Sequence, residues 1–172
     1  TKTSEEIAAL TLDSLASIDS PYIDGTFVGA KWGSIDPDSG TTTDLTYYIT
    51  PAGYSLSDGR TSVASDFHEE NAVSRANSAF TDVANISFTE VSSAEYADAN
   101  FRWSFTTGPY LGMANFPGLY GDVTSDVIIY NNHYSSNIDL NSGGYYYITF
   151  THELGHALGL AHPHNGGGAW TF

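Results

Sequence analysis

Apolar residues recur along this chain with two periods, one helical and one alternating, and the switches between them mark out its elements. Behind Ser4, Ile7, Leu10, Leu15 and Ile18 fall at helical spacing with Glu5 and Glu6 in the first turn. That pattern predicts a helix over residues 4–18, ended by Ser20-Pro21. The strongest amphipathic stretch is 66–84, where Asp66 and Glu69 form a capping box and Val73, Ala76, Phe80 and Val83 share a face. A further helix is expected from about 147 to 159. Strands are expected at 26–32 and 45–50, on either side of the turn Asp36-Pro37-Asp38-Ser39-Gly40, and at 86–91 and 101–105, which alternate as half-buried strands do. Two more are expected at 111–116, stopped by Pro117-Gly118, and at 126–130. Helices and strands mix without regular βαβ alternation or any internal repeat, so the fold class is α+β and residues 1–172 form one domain.

Composition narrows the function classes. A hydrophobic share of 41% is enough to bury a core, and 12 Tyr, 9 Phe and 3 Trp suit a sheet-rich protein. Twenty acidic side chains against 5 basic ones give a net charge of -15, which repels phosphate backbones and anionic lipid. Nucleic-acid and membrane partners are therefore not expected, and the acid excess reads first as a solvated surface. There is no cysteine, which removes disulfides, thiolate nucleophiles and Cys-based zinc sites. No apolar run is long enough to span a bilayer, and the polar start Thr1-Lys2-Thr3-Ser4 is not a signal peptide; export by another route, or processing, is the expectation.

The chemistry concentrates in Thr151-His152-Glu153-Leu154-Gly155-His156-Ala157-Leu158-Gly159-Leu160-Ala161-His162-Pro163. Two histidines four apart stack on one helix face, so both imidazoles can reach one ion. Glu153 projects about 100° round the helix from His152, beside rather than on that ion. Gly159 can end the helix in the left-handed conformation and return His162 to the same point. Three neutral imidazoles with an open fourth position are the layout of catalytic zinc, since structural sites are closed by four protein ligands. A bare H-E-x-x-H can arise by chance on any helix; the glycine and third histidine at fixed spacing make coincidence far rarer. Peptide hydrolysis matches these parts, with water activated at zinc and Glu153 as the general base.

The full pattern His152-Glu153-x-x-His156-x-x-Gly159-x-x-His162 is the metzincin signature, and Pro163 after it resembles the serralysin family. Ala30-Lys31-Trp32-Gly33, Leu45-Thr46-Tyr47 and the run Asp82-Val83-Ala84-Asn85-Ile86-Ser87-Phe88-Thr89-Glu90-Val91 are similar to serralysin segments as well. The resemblance implies an extracellular zinc endopeptidase with a twisted five-stranded mixed sheet and packed helices, metal on His152, His156 and His162, and Glu153 as base. It implies that Ala114-Asn115-Phe116 lies on a substrate-binding edge strand, pairing with an extended peptide; as an ordinary strand and turn the stretch needs no function. Metzincins place a Met-turn beneath the zinc, and serralysins add a tyrosine ligand two residues on. The only methionine here, Met113, precedes the histidines, so neither can be assigned. Calcium-binding glycine repeats are not found, Gly166-Gly167-Gly168 being too short, and calcium is expected only in a further C-terminal region. The chain is thus expected to be the upper lobe of a serralysin-type catalytic domain. Its expected partners are protein or peptide substrates, with an inhibitor or a complementing C-terminal fragment as further candidates. The alternative is a non-catalytic zinc-binding module that holds a peptide without cleaving it.

Other candidates are weaker. His164 lies off the signature and reads as a loop residue; His68, in the first turn of the 66–84 helix, reads as solvent-facing. His133, in an Asn-rich loop, is a candidate lid or substrate contact, and Tyr145-Tyr146-Tyr147 are expected to pack the last helix on the sheet. The 36–40 turn carries carboxylates but lacks the remaining ligands of a calcium loop.

Overall fold

The computed structural model describes Trp32 and residues 42–93, 99–117, 124–134 and 139–162. The helix expected over 4–18, the strand over 26–32 apart from Trp32, the turn at 36–40 and His164 lie outside them.

The described elements run β1 (Thr43–Ile49), α1 (Phe67–Thr81), β2 (Ile86–Glu90), β3 (Phe101–Thr106), β4 (Gly112–Ala114), β5 (Ser125–Tyr130), a 3-10 turn (Asn131–His133) and α2 (Tyr145–Ala157). The strands form one five-stranded sheet in the order β2-β1-β3-β5-β4. The pairs β1–β2, β1–β3 and β3–β5 are parallel, and β4 runs antiparallel along β5 at the edge. This is the α+β class that the sequence predicts and the five-stranded mixed sheet that the serralysin resemblance implies.

Both helices pack on one face of the sheet, where Phe101, Trp103 and Phe105 of β3 and Val127 and Ile129 of β5 meet Val73 and Ala76 of α1 and Phe150, Leu154 and Ala157 of α2. The other face is also covered, by Leu56 and Tyr54 packing on Ile128, Tyr130 and Met113. Strands at the centre of such a sheet are buried on both sides, as parallel strands generally are. The half-buried alternation expected of 101–105 is therefore corrected: Ser104 is buried too, as is Thr106 just past the expected end. Their hydroxyls are paired, Ser104 Oγ accepting from Thr50 Oγ1 at 2.8 Å and Thr106 Oγ1 donating to the Thr61 carbonyl at 2.9 Å.

The expected capping box of α1 is present: Asp66 Oδ1 accepts from the Glu69 N–H at 2.9 Å while Glu69 Oε2 accepts from the Asp66 N–H at 2.7 Å. The helix is shorter than its pattern, with Asp82 at the C-cap, so Val83 falls beyond the last turn and stands 80% exposed rather than on the buried face.

Candidate metal centre

α2 presents opposite sides to core and cleft. Phe150, Leu154 and Ala157, spaced four and three apart, are fully buried against the sheet. His152 and His156 follow the opposite stripe, His152 exposed and His156 half-buried. The helix starts two residues earlier than the expected boundary, at Tyr145, and Tyr145 is 67% exposed. The packing role expected of the three tyrosines therefore falls to Tyr146 and Tyr147, which lie against the core.

The end of α2 brings in the third histidine. Gly159 has φ +101°, the left-handed conformation expected from its place in the motif. The Leu160 N–H then donates to the Gly155 carbonyl at 2.9 Å, and the Leu160 carbonyl turns back to lie 2.6 Å from His156 Nδ1. The Ala157 carbonyl, which has no partner within the helix, accepts from the buried Trp32 indole at 2.7 Å.

Nε2 of His156 stands 3.1 Å from that of His152 and 3.0 Å from that of His162, and the latter two are 2.9 Å apart. Among the described residues these three form the cluster able to hold a metal ion. The donor set fits zinc. With Nδ1–H of His156 donating to the Leu160 carbonyl, its Nε2 lone pair faces the other two rings, the outer-sphere arrangement that metal-binding histidines use. Three ring nitrogens in so tight a triangle cannot satisfy one another, whereas one cation can satisfy all three. Tetrahedral zinc at about 2.0–2.1 Å from each nitrogen separates its ligands by roughly 3.3 Å, close to the triangle here. Burial, and then the neighbouring His156 and His162, hold His152 below the ordinary histidine value, which favours the neutral form a ligand must have.

Glu153 leaves the helix toward β4 and is only 7% exposed. Burial pushes its carboxyl up from 4.5 to about 7. The part of β4 that it meets is Gly112, where a Cβ would stand 2.6 Å from Glu153 Cγ. Sequence reasoning passed over Gly112; a glycine inside a strand is the signal that another group approaches closely.

An edge strand lies where one was expected, but it ends at Ala114, so Asn115 and Phe116 fall just beyond it. Met113 points to the face opposite the helices, against Ile128 and Tyr130, and is no floor for the histidines. The Tyr130 N–H donates to the Leu111 carbonyl and the Asn115 N–H to the Asp126 carbonyl, both at 3.0 Å. By the alternation of an antiparallel ladder, the backbone groups of Gly112 and Ala114 point outward. Of the three expected substrate residues, Asn115 thus spends its N–H inside the sheet and Ala114 offers the open edge. Phe116 is 41% exposed and sets its ring against His156, centroids 5.4 Å apart.

The lesser histidines lie elsewhere. His133 Nε2 is 2.8 Å from the Gly108 carbonyl and ties the 3-10 turn to the loop before β4; His68 sits half-buried beside Phe67.

A model of the matrixin family of peptidases (peptidase M10) matches residues 41–168. A serralysin from Photorhabdus sp. (strain Az29) is 32% identical over 137 residues, covering 77% of this chain and 28% of that protein. The metallopeptidase AprA of Pseudomonas marginalis is 35% identical over 130 residues, covering 70% of this chain and 26% of its own length. The chain thus spans little more than a quarter of these curated relatives. The chain belongs to the matrixin family of peptidases (peptidase M10) and is a metzincin of the serralysin type.

Proposed function

We propose that this chain carries the zinc site and the general base of an extracellular zinc endopeptidase. The observation that supports it best is the convergence of three Nε2 atoms, 2.9 to 3.1 Å apart, on the residue stripe next to a buried glutamate. His152, His156 and His162 hold the ion; bound there, zinc supplies a Lewis acid that polarises a carbonyl and acidifies water. An extended peptide lies along β4 and pairs with the outward backbone groups of Gly112 and Ala114, as a strand added to the sheet. Phe116, partly exposed, sets its ring beside His156 just past the end of β4.

Glu153 moves the proton. Its carboxylate takes a proton from the attacking water and delivers it to the departing amine. With no metal bound, burial holds the Glu153 carboxyl above the usual carboxylate range, which strengthens it as a proton acceptor. The extracellular setting is the expectation that comes with the serralysin type. No helix among the described residues is long and apolar enough to cross a membrane.

Metal analysis and a quenched-peptide assay test the reading together. Protein prepared without chelator should hold about one zinc per chain, and Glu153→Ala should keep the zinc and lose turnover by a factor of about a thousand or more. Absence of zinc overturns the reading. Zinc present with turnover equal in wild type and Glu153→Ala favours the non-catalytic zinc module, the hydrolysis then belonging to a contaminant.

A further inference from the structure

Gly112 has no backbone reason to be glycine. Among the described residues the glycines with positive φ are Gly53, Gly59, Gly143 and Gly159; Gly112 lies in β4, in a conformation open to any residue. Its reason is space. A Cβ at this position would stand 2.6 Å from Glu153 Cγ, 2.8 Å from Thr149 Cγ2 and 2.9 Å from Glu153 Oε1. Carbon atoms that are not bonded to one another sit at about 3.5–4.0 Å, so something would have to yield.

The surroundings decide what yields. Thr149 is β-branched and buried, one turn before Glu153 on a helix pinned to the core through Phe150 and Leu154. β4 is three residues long and is held along one side only, by β5. A methyl group at position 112 would therefore push the edge strand away from Thr149, and would turn the Glu153 side chain out of its slot unless the strand moves far enough to clear it as well.

We propose that Gly112 is a positioning residue for Glu153: the missing side chain is the slot in which the glutamate stem lies, so the place of the carboxylate and the seat of the edge strand are set together. The consequence for catalysis rests on Glu153 being the base; the contact itself does not. Because the Gly112 backbone groups also face the open edge, a peptide that adds itself to β4 grips the residue against which the carboxylate rests. Substrate seating and base placement become one mechanical unit.

Four proteins test this: wild type, Gly112→Ala, Glu153→Ala and the double variant, melted after metal removal. Gly112→Ala is expected to lower the melting temperature by about 4 °C or more in the wild-type background and by less beside Glu153→Ala, where of the three close contacts only that with Thr149 remains. If Gly112→Ala does not fold, the double variant is expected to fold; failure of both overturns the proposal, as does an equal loss in the two backgrounds. The 13C resonance of the Glu153 carboxyl, assigned by its disappearance in Glu153→Ala, should move in Gly112→Ala, and an unmoved resonance overturns the positioning role. In the peptide assay Gly112→Ala should lose about tenfold or more in kcat with zinc content held. Were wild type to show no turnover, the endopeptidase reading would fail while the melting cycle and the resonance still decided the role of Gly112.

Discussion

The indole N–H of Trp32 donates to the main-chain carbonyl of Ala157 over 2.7 Å, and so closes the end of the helix that carries His152 and His156. The last carbonyls of a helix have no partner in their own ladder, and a buried one left unpaired costs free energy. Trp32 is itself 8% exposed, with its ring edge-on to Phe101 at 5.1 Å. Trp32→Phe should keep much of the packing and lose the hydrogen bond, destabilising the protein by about 1–3 kcal/mol in urea unfolding. Zinc affinity should fall with it, because the freed turn is the one that returns His162. Unchanged stability and zinc affinity in Trp32→Phe would show that the indole does not hold this turn.

Gly159 makes the same turn from the other side. At φ +101° an alanine is strained, and Gly159→Ala should cost about 1–2 kcal/mol. The larger effect is on the metal. A turn that relaxes toward negative φ carries His162 away from the pair on α2, and competition with a chelator should show zinc affinity lowered by about tenfold or more. Wild-type affinity in Gly159→Ala would mean that the turn is not set by this residue.

What the chain reveals of itself follows the range of each interaction. The capping box of Asp66 and Glu69, the turn at Gly159 and the grouping of His152, His156 and His162 are local, and their spacing carries them. Val83 continues the apolar face of α1 in the sequence, yet the helix ends before it, since the face pattern does not encode the cap at Asp82. Ser104 and Thr106 look like the wet side of a half-buried strand; only the placement of β3 between β1 and β5, with a loop over its second face, buries them. The parallel register of Thr43 with Ile86 and the fit of Gly112 to Glu153 join distant parts of the chain and leave no period to read.

Zinc should be part of the stability of this domain. An ion that binds the folded triangle and has no preformed site in the unfolded chain stabilises by mass action, by about 2.7 kcal/mol when free zinc is a hundred times its dissociation constant. Calorimetry with rising zinc should show the melting temperature climbing in wild type. His162→Ala should flatten that climb by removing one corner of the triangle. A climb equal in both proteins would place the stabilising ion elsewhere.

Glu153 predicts a pH dependence that runs against the usual behaviour of carboxylates. In metal-stripped protein its buried carboxyl is pushed up to about 7 from 4.5, so the folded state prefers the neutral form more than the unfolded chain does. The stability this group contributes is complete below about pH 4.5 and is lost as pH rises through 7, a change of roughly 3 kcal/mol by linkage. Glu153→Gln keeps the shape and cannot ionise, so it should not show this loss. The readout is the difference between the two proteins, measured by urea unfolding from pH 4 to pH 8. His152, held below its ordinary value by burial and by its two neighbours, acts in the opposite sense in both proteins and loses stability as pH falls. Glu153→Gln should therefore gain on wild type steadily across the window and lead it by most at pH 8. Parallel curves would show that the Glu153 carboxylate is charged and solvated in the metal-free protein and that burial does not raise it.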